Sequence, residues 1–297
     1  MTRILRSAFV SVFAVGVAAS LTGCKVDCSK ENGATTCIGE TTVQYISSTP
    51  VLQEAAWTAG QALRIGVTGG NVRTGQATTS ITINPQGADS AAAGCKDASK
   101  VCVRFTAANN DTKENRDEAT RQMKVVADGG NLVVSAANSG TEVIVKAEQS
   151  GKFNSALTAL VDVWVPAAFD GDIVANSDSG GISVRGARKG ASVKTGLGDI
   201  AFDLNGIAPN ASSGSITTSN GDILFNVPRA ANINVQGQVS GPGDTVRIDT
   251  VDGWKLVDSS TEQAATFCGN TACTGTNDGL WQLKATDLGS IQVSPKL

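Results

Sequence analysis

Histidine is missing from the sequence altogether. Its absence removes the base of Ser-His-Asp and Cys-His catalytic sets and a common metal ligand. Cys-x-x-Cys spacings are missing too, so the cysteines do not read as a metal site and no cofactor is expected. Aromatic residues make up only 4% of the chain and charged residues 17%, so the core has to be narrow and built from small side chains. Net charge is −3, and no basic stretch with interleaved aromatics occurs, which excludes the electrostatic footprint of a nucleic-acid partner. The apolar run from Ala8 to Ala19 is too short for a comfortable membrane span.

Glycine, by contrast, is abundant, with 33 of 297 residues. It punctuates an eleven-residue pattern that occurs twice at an offset of 23, Ser192 to Phe202 lying over Ser215 to Phe225. Each copy reads as strand, tight turn, strand. Val193 and Thr195, then Ile200 and Phe202, stand two apart and so share a face. The shorter unit Gly, any residue, Ile or Leu, any residue, Val or Phe recurs at Gly130 to Val134, Gly180 to Val184 with an extra Gly, Gly198 to Phe202, Gly221 to Phe225 and Gly289 to Val293. A unit this small cannot bury its apolar face alone, so copies have to stack.

Arg3 and Arg6, the apolar run and then Leu21-Thr22-Gly23-Cys24 form a secretory signal whose end resembles the bacterial lipoprotein box. That resemblance implies cleavage before Cys24, acylation of its thiol and a stable anchor in the membrane. Lys25 stands where an inner-membrane retention signal usually has Asp, so the outer membrane of a bacterial envelope is the expected site. The other cysteines number six and fall into close pairs, Cys28 with Cys37, Cys95 with Cys102 and Cys268 with Cys273. Three local disulfides are the preferred connectivity.

Lys25 to Thr49 reads as a polar tether. Period-2 alternation predicts strands at Leu63 to Val67, Ser80 to Ile83, Lys100 to Thr106, Lys124 to Ala127, Leu132 to Ala136, Glu142 to Ala147 and Ala159 to Val165. Gln86 to Ser99 reads as a surface loop stapled to the next strand. Asp111 to Met123 is the one expected helix, capped by Asp111 or Thr112 and lying on the surface. Glu262 to Asn277 is expected to be an inserted loop before the last coil closes at Val293.

The order of these features resembles the bacterial putative-adhesin β-strand-repeat family, over roughly Ala62 to Val293 and best from Val161 to Val227. The resemblance rests on Leu63 to Val72, the polar helix before paired strands, Val161-Asp162-Val163-Trp164-Val165-Pro166 and the Gly-x-Ile units after it. It implies an all-β fold, a right-handed β-solenoid or β-helix-like stack of short strands with one short surface helix. The alternative is a β-sandwich followed by a short solenoid. The expected organisation is residues 1–23 as lipoprotein signal peptide, 24–50 as lipidated Cys and tether, and 51–297 as the β-strand-repeat domain.

Carboxylates are the remaining candidates for chemistry. Asp170, Asp172, Asp199 and Asp222 cluster near repeat corners, where paired acids could cleave glycans. The competing reading is that Asp beside Gly is a preferred turn residue bonding nearby backbone N–H groups. Trp254 and Trp281, next to Gly-containing corners, are candidates for stacking on sugars if exposed. Arg185, Arg188 and Lys189 form a small basic corner that could meet acidic glycan or lipid headgroups. The sequence thus points to a non-enzymatic, lipid-anchored envelope protein in adhesion or scaffolding, its partners the membrane through Cys24 and a glycan or cell-envelope protein. Alternatives are a sensing or regulatory partner in the envelope and, further off, a glycan-active enzyme using Asp pairs.

Overall fold

The computed structural model describes residues 28–31, 34–37, 42–46, 50–68, 78–112, 132–149, 156–205, 213–249, 251–274 and 278–296. Cys24 and the residues before it lie outside this set, as do 113–131, which hold most of the expected helix and the predicted strand at Lys124 to Ala127.

In chain order the first strands are β1 (Cys28–Glu31), β2 (Ala34–Cys37), β3 (Thr42–Ile46), β4 (Val51–Ala56), β5 (Ala62–Thr68) and β6 (Thr78–Pro85). A five-residue helix, α1 (Ala88–Ala92), precedes β7 (Lys100–Thr112), β8 (Leu132–Asn138), β9 (Glu142–Gln149) and β10 (Ala156–Val165). The repeat region supplies β11 (Ile173–Ser179), β12 (Ile182–Ala187), β13 (Ala191–Leu197), β14 (Ile200–Leu204), β15 (Gly214–Asn220) and β16 (Ile223–Pro228). The C-terminal part adds β17 (Asn234–Val239), β18 (Val246–Ile248), β19 (Trp254–Thr261), β20 (Ala264–Gly269), β21 (Leu280–Leu288) and β22 (Ile291–Lys296).

Two ten-stranded sheets contain almost all of these strands. The consecutive pairs β5–β6, β9–β10, β11–β12, β13–β14, β15–β16, β17–β18 and β21–β22 each form one coil with a strand in either sheet. Along the stack the coils run β9–β10, β5–β6, β11–β12, β13–β14, β15–β16, β21–β22, β17–β18, joined by parallel pairing in both sheets. The expected all-β stack is therefore present, with chain order and stacking order diverging at both ends. The unit at Gly289 to Val293 does not close the stack: β21–β22 is wedged between the β15–β16 and β17–β18 coils.

The core lies between the sheets and follows the columns of the repeat. Ile81, Ile182, Ile200, Ile223 and Ile291 are in register and each at most 1% exposed. One pleat further on come Ile83, Val184, Phe202, Phe225 and Val293, all fully buried. Burying such a side chain contributes roughly 1.5–3 kcal/mol. Since every coil repeats the pattern, the energy is distributed along the stack.

The corner between the two sheets needs glycine for two reasons. Gly198 and Gly221 have φ of +131° and +142°, a region that L side chains rarely adopt. Their coils also touch there: a Cβ on Gly221 would sit 2.2 Å from the carbonyl oxygen of Gly198. Gly198 N–H donates to Asn220 O and Gly221 N–H to Leu288 O, both at 2.7 Å, so each corner is bonded to the next. Thr195 and Thr218, fully buried, satisfy the remaining acceptors by donating Oγ1–H to Gly180 O and Gly198 O at 2.8 and 3.0 Å.

Several expectations change. Asp111 and Thr112 extend β7, and the residues expected to form a helix after them lie outside the described set; the described helix is α1, inside the stretch read as a loop. Alanines at 88 and 91–93, good helix formers, account for it. Glu262 to Asn277 contains β20, which pairs antiparallel with β17 and β19 and is followed by a 3-10 turn at Asn270–Thr274. β3, within the stretch read as tether, pairs with β7. Among the described residues no helix is long and apolar enough to cross a membrane.

Candidate functional site

The outward side of the second sheet, the one that holds β6, β10, β12, β14, β16 and β22, carries a column of polar residues one position beyond the buried Ile83, Val184, Phe202, Phe225 and Val293. Trp164 pairs with Asn84, and Asp203 with Asn226, which pairs with Ser294. Between Asn84 and Asp203 the β12 strand bulges, so that Arg185 and Gly186 together face Asp203. Gly186 accommodates this at φ +75°.

Where this column meets the strand ends, a groove of about 720 Å³ opens. Its floor carries Asn84, Arg185, Asp203 and Asn226; its walls are Gly87 to Asp89 on one side and Val227 to Ala230 on the other, with Lys296 beside them. Asp203 accepts from Asn226 Nδ2 and, at 3.3 Å, from Lys296 Nζ, so its charge is countered locally. Arg229 reaches Asp252, whose side chain is fully exposed, at 3.3 Å. Such an exposed pair is weak and leaves the guanidinium available to a better partner.

Trp164 lines the same groove at 4% exposure, and its Nε1–H has no acceptor among the described residues. Arg104 covers its ring at 5.2 Å and is itself held by Asp162 at 2.7 Å. The wall at Gly87 to Asp89 is anchored by Gln86 N–H donating to Val165 O at 2.7 Å and by the Cys95–Cys102 disulfide. In the turn between the two cysteines Asp97 accepts from Ser99 Oγ–H at 2.6 Å and Ser99 N–H at 3.0 Å. These bonds, Ser99's side chain first, hold the Asp97 carboxyl below its usual range. Their contribution is complete above the ordinary value of 3.8 and is lost as pH falls through the lowered one.

The residues singled out in the sequence are placed differently. Asp199 Oδ1 accepts Asp222 N–H at 2.8 Å, and Asp222 Oδ1 accepts Ser290 N–H at 2.7 Å, one coil bonding the next. Asp170 accepts Gly60 N–H at 2.8 Å, and Asp172 pairs with Lys189 at 3.7 Å. All four thus have architectural partners.

Trp281 has 0% exposure and cannot stack on a sugar. It occupies the space opposite Gly214, against Phe202 and Phe225 at 5.2 and 5.0 Å between ring centres. Trp254 is 7% exposed, donating Nε1–H to Arg229 O at 3.1 Å. The basic corner divides: Arg185 lines the groove, Lys189 turns to Asp172, and Arg188 is exposed elsewhere. Cys95–Cys102 and Cys268–Cys273 are bonded as expected. Cys28 and Cys37 are register partners of the β1–β2 hairpin, and their side chains lie outside the described residues.

No family model matches the chain, and no curated protein matches it. Among solved structures, a "putative cell adhesion protein" from Clostridium sporogenes ATCC 15579 is similar at TM-score 0.50 and 11% identity, covering 84% of this chain and 99% of that one. A "putative adhesin" from Bacteroides fragilis NCTC 9343 aligns over 83% of this chain and 98% of its own at 9% identity, with a TM-score of 0.30. The first of these shows a shared fold. What the chain does rests on its own residues.

Proposed function

We propose that this protein is a non-enzymatic recognition or scaffold body of the bacterial envelope, acting in adhesion and held to the outer membrane by acylated Cys24. The observation that supports it best is the engagement of the corner aspartates. A glycan-cleaving site needs two carboxyl groups facing each other across the substrate, whereas Asp170, Asp199 and Asp222 each accept a backbone N–H and Asp172 meets Lys189. The stacked coils, bonded to one another at the Gly180, Gly198 and Gly221 corners, suit a stiff body that presents a surface. The adhesion name of the Clostridium sporogenes neighbour agrees with this reading.

Metabolic labelling with palmitate tests the anchor. Wild type is expected to take up label and sediment with the outer membrane, while Cys24→Ala takes up none and is released. Label or membrane retention unchanged by Cys24→Ala would overturn that part. Cells lacking the protein are expected to lose attachment to a host or biofilm surface; equal attachment would overturn the adhesion role.

A further inference from the structure

We infer that the groove at the end of the second sheet is a binding site for an acidic saccharide, a sugar chain bearing carboxylates. This deepens the adhesion reading and rests on it. The volume falls within the ~300–1,000 Å³ of clefts that hold small ligands.

The buried indole is the first observation. Trp164 is nine-tenths buried and more, and indole N–H can only donate, yet it meets no acceptor among the described residues. That nitrogen is closed to solvent, so a ligand oxygen completes it only with a small shift of the side chains at the groove wall. This observation is independent of the charges.

The second is the mixture of groups. Asn84, Asn226 and Asp203 offer donors and acceptors side by side, which complements a molecule carrying hydroxyls that do both. Pro85 and Pro228 add flat apolar surface at the same place, suited to the C–H face of a pyranose.

The third is charge. Arg185, Arg229 and Lys296 stand with Asp89 and Asp203 in the groove lining, Lys296 paired to Asp203 and Arg229 to Asp252 beside it. Arg229 is tied only to a fully exposed Asp252, and its planar fork matches a carboxylate in two parallel bonds. Cations interspersed with acids suit carboxylates spaced along a sugar chain better than the concentrated charge of phosphate.

The test titrates the full chain, purified in detergent, with a tetramer of galacturonic acid, with the neutral galactose tetramer and with inorganic phosphate. Saturable binding of the uronate is expected, weakened about tenfold or more by Arg229→Gln and about fivefold by Trp164→Phe. Trp164→Phe keeps the ring and removes the donor. Arg188→Gln, outside the groove, should bind as wild type. A thermal melt equal to wild type shows that each variant is folded, and Trp164→His, which restores a ring donor, is the second variant should the Phe form melt early.

Absence of uronate binding would overturn the proposal, as would binding equal in wild type, Arg229→Gln and Trp164→Phe. Equal affinity for phosphate would overturn the saccharide and leave a general anion site. Failure of the adhesion reading looks different: the uronate would bind and respond to the variants, while cells with and without the protein attach equally.

Discussion

Gly221 shows how little latitude a single position has in this fold. A methyl group there would meet the Gly198 carbonyl and hold a residue at φ +142°. Gly221→Ala is expected to cost about 2–4 kcal/mol in urea unfolding. Gly243→Ala, at φ +85° with open space around it, should cost only about 1–2 kcal/mol. Equal effects would mean that the close approach of coils is not what selects glycine. Thr218→Val keeps the shape and removes the bond to Gly198 O, leaving a buried acceptor short of a partner. A loss of about 1–3 kcal/mol is expected by the same measurement. That the corner aspartates would meet backbone N–H groups was legible, because Asp beside Gly favours such bonds; which groups was not, since Asp199 and Asp222 bond N–H groups 23 and 68 positions away on the next coil. The fate of Trp281 was not. Its burial depends on Gly214, 67 positions earlier in the chain, and spacing within β21 carries no trace of that pairing.

At the scale of elements, the loop carrying α1 is the part that joins architecture to the groove. Cys95 and Cys102, 7 residues apart, fix it to β7, while Gly87 to Asp89 form the groove wall. Replacing both cysteines by Ser is expected to lower stability by about 2–3 kcal/mol and to weaken uronate binding, read by titration before and after the change. Unchanged binding would show that the wall is held by the Gln86 bond alone. The strands of this region were readable from alternation; the helix was not, because five residues give no amphipathic period to detect. The groove did leave a signal. Arg185, Asp203 and Asn226 each follow the buried residue that ends a repeat unit, so reading the repeats as columns finds three of the four floor residues; Asn84 follows Ile83, which joins the column only through pairing. Arg229 and Lys296 lie beyond the units and come to the groove only through stacking.

For the whole molecule, the insertion of β21–β22 between two earlier coils ties the C-terminus to stability. Among the described residues β18 pairs only with β22, and β17 has β21 on one side. Deleting residues 280–296 is therefore expected to abolish amide-exchange protection in Asn234–Ile248 while Ile173–Leu204 remain protected. Protection retained in both would contradict the stacking order. The repeats themselves were visible in the sequence, since each unit is local. Their order in space was not, because identical-looking units can stack in any sequence that satisfies the same columns.

We propose the groove as the binding face of this recognition stack. Screening the purified chain on a glycan array, beside Arg229→Gln, tests it most directly. Saturable binding to carboxylate-bearing glycans, lost in the variant, is the predicted result. No glycan bound above background, or the same glycans bound by both proteins, would contradict it.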